Sequence, residues 1–344
     1  MSTIESSKDN AEVNDPAARP QPSLLRRLLV DRPEMMIILA LVIIAGFFVA
    51  VRPDAFLSGI NIRNMSIEAG MMMFLAVGMT YVIITAGIDL SVGSLLVLSG
   101  VCAVLVMRMI GIDHPAAPWV GLLVALGCGT LWGLLNGFFV AVTRLSPLIV
   151  TLASMGIALG IARLLSGGVD ITGVPRSVVN TIGIGRVMGI PVIFLIATAF
   201  AVLAGVILHR TRFGLHTFAI GSNPQAAERA GIKVRRPLVM VYAISGFCAG
   251  LAGYITLSRF ASTTIAGHSM DNLRAITAVV LGGASLFGGV GTMFGTSVGV
   301  LIPVVLASGL VIVGLPSFWQ EVAVGIVLLA AVLVDQWRRS SRSR

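Results

Sequence analysis

Charge is what this sequence has least of. Asp, Glu, Lys and Arg make up 11% of its 344 residues, against 56% for the apolar types. A soluble domain carries about 25% charged residues, and so few cannot coat a globule of this size. Lipid is the natural solvent. Aromatics are also sparse, at 6%, where a water-soluble core of this size would draw on more Phe, Tyr and Trp. Only three cysteines occur, Cys102, Cys128 and Cys248, each inside an apolar run with no CxxC spacing and no neighbouring His. They read as small buried hydrophobes rather than metal ligands or disulfide partners. Lysine occurs twice, at Lys8 and Lys233, and neither follows a glycine. The G-x-x-x-x-G-K-[ST] phosphate loop is therefore missing, as are a dinucleotide fingerprint and a metal-ligand cluster. Gly295-Thr296-Ser297-Val298-Gly299 spells G-x-S-x-G, but in an apolar run rather than at a strand-to-helix turn. The four histidines, 114, 209, 216 and 268, map to loops or run ends, so no base is placed to activate Ser297. No catalytic residue, metal or cofactor is expected in this chain.

What is abundant is glycine, at 39 residues, and long apolar stretches. A bilayer-spanning helix needs about 20 mostly apolar residues. Ten candidate spans fit: Glu34–Val51, Met65–Gly87, Val92–Ile110, Trp119–Val142, Pro147–Leu165, Ile190–Leu208, Pro237–Leu257, Leu273–Gly289, Thr292–Gly314 and Phe318–Trp337. The eighth is short and broken by Gly282, Gly283, Gly288 and Gly289. The expected fold is an all-α polytopic membrane protein with two weakly related halves. Residues 1–33 read as a polar, disordered cytoplasmic tail, 34–337 as the transmembrane domain and 338–344 as a basic cytoplasmic tail. The first apolar run begins too far from the start for an ordinary signal peptide.

Ten spans place both termini on one side. Sixteen of the 24 Lys and Arg then fall on that side and eight on the other. By the positive-inside rule this side is the cytoplasm. The net charge of +9 thus reports orientation in a membrane rather than nucleic-acid binding.

The strongest charge cluster is the loop 209–236, with Arg210, Arg212, Arg229, Lys233, Arg235 and Arg236 against Glu228 alone. Inside it runs Asn223-Pro224-Gln225-Ala226-Ala227-Glu228-Arg229-Ala230-Gly231. Asn is a strong N-cap, Pro suits the first helical position, and Gly follows helix ends. A cytoplasmic helix of about two turns is expected, too short to stand alone in water and hence held by packing.

The two halves share an echo. Thr85 to Gly93 aligns with Leu281 to Gly289, matching Gly87 with Gly283, Leu90 with Leu286 and Gly93 with Gly289. Paired Gly-interrupted segments point to the substrate path of transporters. Asp89 and Ser91 lie in the first of them and read either as an N-cap for the next helix or as polar groups on that path. Asn136 sits mid-span beside Gly129, Gly133 and Gly137, whose spacing of four marks close helix packing. It reads as an interhelical hydrogen-bond donor or as a partner for a hydroxyl of a transported solute. Ser285 completes the set of candidate path-lining residues. Glu68 and Glu321 read as interfacial residues at span starts.

Three stretches together resemble the permeases of ribose, xylose and galactoside-type ABC importers. They are Gly78 to Ser94, Phe213 through Gly221-Ser222-Asn223-Pro224 to Ile232, and Ala278 to Thr292. Their order and spacing also fit, and the likeness covers about residues 35–338. One departure is Ala86, where the family often has a second glycine. The resemblance implies alternating access driven by a separate ABC ATPase subunit, which holds the ATP and Mg. It also implies a periplasmic sugar-binding protein, a second permease copy (a homodimer), and the bacterial inner membrane as location. It makes Asn223–Gly231 the coupling helix that docks on the ATPase. The rival reading is an ion-coupled secondary transporter, which would usually show buried mid-span carboxylates, and Asp89 is the one candidate.

Overall fold

The computed structural model describes residues 33–342. The expected polar tail lies, up to residue 32, outside the described residues. Twelve helices carry the architecture: α1 (Pro33–Val51), α2 (Gly59–Ile84), α3 (Val92–Ile110), α4 (Ala117–Ala141), α5 (Pro147–Ser166), α6 (Val192–Arg210), α7 (Arg212–Ser222), α8 (Pro224–Arg229), α9 (Arg235–Phe260), α10 (Asp271–Leu281), α11 (Met293–Ile312) and α12 (Phe318–Arg342). Short turns at Pro53–Phe56 and Arg176–Val178 and a two-residue hairpin, β1 (Arg186–Val187) with β2 (Ile190–Pro191), fill connections.

Seven of these, α2, α3, α4, α5, α6, α9 and α11, are long and apolar enough to cross a membrane. Helices α1 and α12 carry shorter apolar stretches, Met35–Val51 and Phe318–Leu333. The expected eighth span is corrected. Helix α10 has 11 residues, about 16 Å of rise, roughly half a hydrocarbon core. Gly283, Gly288 and Gly289 adopt positive φ of 85°, 83° and 76°, so the chain turns where the apolar run continues. The loop 209–236 is likewise more ordered than expected: α7 precedes α8, capped by Thr211, whose side chain accepts from Gly214 N at 3.3 Å. The expected basic tail from 338 continues α12 to Arg342.

Helix α2 is the centre of the bundle. It opens at Ser58, whose side chain accepts from Asn61 N at 3.2 Å. From Ala69 to Ile84 only Met71 is not buried. Against it pack α9, α6, α10 and α11. The most intimate pair is α4 on α9. Methyl groups at Gly133 and Gly246 would overlap the facing backbone, at Tyr242 O and Gly129 O respectively. Small residues let the two backbones touch, which in lipid replaces the hydrophobic effect as the source of helix association. The faces of α4, α5 and α6 turned away from this contact carry exposed Leu123, Leu131, Leu152, Val202 and Leu203, suited to lipid.

Candidate functional site

The Gly-interrupted segment between α2 and α3 does not stay at the bundle end. Ile84 closes α2 beside Gly221, the penultimate residue of α7. From there the chain climbs back along α9. Gly87 lies against Tyr242, Asp89 bonds Ser245, and Gly100 packs on Gly253. Ser245 is ten residues into α9, about 15 Å along its axis. Helix α3 therefore begins well inside the bundle, the broken-helix arrangement that membrane proteins tolerate only where protein or a watery cavity satisfies the freed backbone.

Asp89 is fully enclosed. Its Oδ1 accepts from Ser91 N (3.0 Å) and Ser91 Oγ (2.6 Å), and its Oδ2 from Ser245 Oγ (2.8 Å). Asn136 Nδ2 donates to Ser91 Oγ at 3.0 Å, the interhelical bond its place among the glycines suggested. A buried carboxylate survives only with such donors. The cap expected for α3 takes another form. Ser91 occupies the N-cap position without a side-chain cap bond, and Asp89 instead holds the Ser91 N–H across the turn. Three of the four sequence candidates, Asp89, Ser91 and Asn136, thus share one network sealed from the surface. Ser245 joins it, and Tyr242 packs beside it against Gly87, without either having been singled out, since a serine or tyrosine inside a span carries no motif. The Tyr242 hydroxyl is buried and, among the described residues, has no hydrogen-bond partner. Ser285 lies elsewhere, partly buried in the turn after α10, and donates to Asp335 Oδ2 of α12 at 3.1 Å.

The echo between the halves has a physical meeting point. Gly289 N donates to Ile84 O at 2.8 Å. A methyl at Gly288 would come within 2.9 Å of Ala86 Cβ, and one at Gly221 would overlap the Ile84 carbonyl oxygen. The two Gly turns and the end of α7 form one backbone-to-backbone joint.

Immediately beyond it stands α8. Asn223 Oδ1 accepts from Ala226 N at 2.9 Å, and Pro224 occupies the first turn. At the other end Ile232 N donates to Ala227 O and Gly231 N to Glu228 O, both at 3.0 Å, with Gly231 at φ 85°, a Schellman ending. Only Ala227 is buried, while Gln225, Ala226, Glu228 and Arg229 are exposed. The helix is a capped, protruding platform anchored by one methyl.

A second polar cluster was not singled out. Glu68, Thr264, His268, Asp271 and Arg274 converge between α2 and α10. Glu68, read as an interfacial residue at a span start, lies nine residues into α2, because the Ser58 cap starts the helix at Gly59, six residues before the apolar run. The i, i+3 spacing of His268, Asp271 and Arg274 was the available signal. Ser297 donates to Met293 O of its own helix at 2.8 Å, so the G-x-S-x-G pattern is a packing motif.

These features define a multi-pass membrane protein with a broken helix and an exposed, capped short helix at one end. Residues 61–332 match the family described as "Branched-chain amino acid transport system / permease component", and the chain belongs to that family. It is 41% identical to the ribose import permease protein of Bacillus subtilis over 84% of this chain and 88% of that one. It is 33% identical to the D-allose transport system permease protein of Escherichia coli K12, over 86% and 89%. With the fructose import permease protein of Rhizobium meliloti it shares 32% identity over 92% and 88%. No solved structure matches the chain.

Proposed function

We propose that this chain is the membrane-spanning subunit of an ATP-driven importer for a monosaccharide or related polyol in the bacterial inner membrane. The observation that carries the reading is the similarity along most of the chain to permeases named for ribose, allose and fructose. The exposed α8 platform supports it, because an ATPase on a separate chain needs a rigid element to push. Residues Asn223 to Gly231 serve as that coupling helix. ATP and Mg belong to the partner ATPase. A second copy of this chain and a periplasmic sugar-binding protein complete the assembly, with α8 in the cytoplasm and both termini on that side, because the 261–270 link and α10 together run from the far end of α9 back to the joint beside α8.

Transport then proceeds by alternating access. ATP drives the ATPases together, α8 moves with them, and the joint at Ile84, Gly221 and Gly289 carries the displacement to both Gly turns. A ligand shifts such an equilibrium only by binding its two states differently. Asp89, Ser91 and Asn136 line the path in the conformation where α3 and α9 part, and Ser285 guards the second turn.

The test is a mild-detergent pull-down from native membranes, paired with uptake of labelled ribose, fructose, allose and a branched-chain amino acid. The expected outcome is co-purification of a P-loop ATPase and ATP-dependent uptake of one of the sugars. A Gln225→Arg/Glu228→Arg variant, altered only at exposed positions, should reach the membrane at normal levels yet lose the ATPase. Uptake driven by the proton gradient with no ATPase recovered, even after cross-linking, overturns the reading in favour of a secondary transporter.

A further inference from the structure

The link between α9 and α10, residues 261–270, is re-entrant. It starts at the end of α9 remote from α8 and is pinned to the Asp170–Ile171 segment by four bonds, the longest from Thr263 Oγ1 to Asp170 Oδ1 at 3.4 Å. Thr263 N donates to Ile171 O (2.9 Å), Ile171 N to Thr263 Oγ1 (2.8 Å) and Ile265 N to Asp170 Oδ1 (2.8 Å). It then descends until the His268 carbonyl crowds Gly93, at the start of α3. Asn272 Nδ2 donates to Leu90 O at 3.2 Å, so the opening of α10 sits directly over the turn that holds Asp89.

On this link and helix the polar side chains are ordered with respect to one another. His268 Nδ1 lies 2.6 Å from Asp271 Oδ2, and its Nε2 lies 2.6 Å from Thr264 Oγ1, so both ring nitrogens are fixed. The outer part of the cluster is open. Arg274 NH1 stands 3.9 Å from Asp271 Oδ1 and 4.0 Å from Glu68 Oε1. Both separations exceed a hydrogen bond, and among the described residues neither Arg274 nor Glu68 finds a closer side-chain partner. The Glu68 side chain is 49% exposed and that of Arg274 24%.

Position makes this unusual. Glu68 is nine residues along a helix of 26, about 14 Å into a rod of about 39 Å. Helix α2 is long and apolar enough to cross a membrane, and ionisable groups within such a span mark solute pathways.

We propose that Glu68, Asp271 and Arg274, with His268 and Thr264 behind them, form a subsite for the hydroxyl groups of a neutral sugar during translocation. The proposal rests on the import reading above. The guanidinium offers a planar fork of donors, and its NH1 faces carboxylate oxygens of both Asp271 and Glu68, at 3.9 and 4.0 Å, spacings that admit a hydroxyl but do not already close. Vicinal hydroxyls, each donor and acceptor at once, complete that pattern. Two carboxylates against one guanidinium leave one net negative charge with His268 neutral, which disfavours an anion and leaves a neutral hydroxyl-rich solute acceptable.

Two measurements test it on the full assembly in native membranes. The first asks for water. A Glu68→Cys variant, compared with the parent carrying Cys102, Cys128 and Cys248, is treated with a charged, membrane-impermeant thiol reagent. The expected result is labelling above the parent, slowed by the transported sugar. A correctly inserted variant that stays unlabelled overturns the proposal, because the face is then sealed by lipid or protein. The second asks for affinity. Glu68→Gln and Arg274→Gln should raise the half-saturating sugar concentration for uptake on the order of tenfold, with ATPase recovery in pull-down unchanged. Normal half-saturation, or a fall in maximal rate alone, overturns it. If the parent imports none of the sugars, the import reading fails, and the labelling result alone decides whether this face is wet.

Discussion

Ala86 holds a backbone φ of 59°, a conformation that costs a residue with a Cβ roughly 1–2 kcal/mol. Glycine there avoids that cost but gives back about 0.5–1 kcal/mol in lost unfolded-state freedom. Ala86→Gly is therefore expected to stabilise the protein by about 0.5–1 kcal/mol, read as a higher thermal-unfolding midpoint in detergent. A lower midpoint would show that the Ala86 methyl contributes packing at the joint that outweighs the strain. The sequence marked this position as a departure from a familiar pattern, but its handedness appears only once the turn is built. Asn136 shows the converse. Its neighbours Gly133 and Gly137 announced a close helix contact, so its bond to Ser91 was legible. Ser245 carries the same weight in the same network and was illegible, because one hydroxyl among apolar residues has no periodicity to betray it.

At the level of elements, the α4–α9 contact separates glycines that matter from those that do not. A side chain at Gly133 meets the Tyr242 backbone, whereas one at Gly127 on the same helix meets nothing within 4 Å. Gly133→Val should therefore abolish stable, detergent-extractable protein, while Gly127→Val should leave expression and size-exclusion behaviour close to wild type. Equal tolerance of both would remove backbone contact as the reason for the glycine stripe. Among the elements, α8 could be read residue by residue from its caps, because capping is a local chemistry. Helix α10 misled, since an apolar run of transmembrane composition was split by turns that only positive-φ glycines permit. Helix α7 was missed because its basic first turn and short length resemble loop.

The whole molecule has a polarity that a topology map can check. The α3–α4 connection around Asp113 and the α7–α9 region around Lys233 lie at opposite ends of the bundle. Reporter fusions active only outside the cytoplasm should signal after Asp113 and stay silent after Lys233. Signal from both positions would remove the orientation on which the coupling proposal stands. Charge asymmetry is the sequence signal behind this expected orientation, and it acts through the physics of insertion rather than of folding. The course of the two re-entrant links was not available, because it depends on contacts between segments some 180 residues apart, such as Leu90 with Asn272. One consequence follows from the contact of Gly221, Ile84 and Gly289. Side chains are the compliant parts of a protein, free to change rotamer and absorb a push. Where backbone bears directly on backbone that slack is gone, so a linkage built on this joint has almost no backlash. Under the coupling proposed above, a small stroke at α8 reaches both turns undiminished and at the same moment.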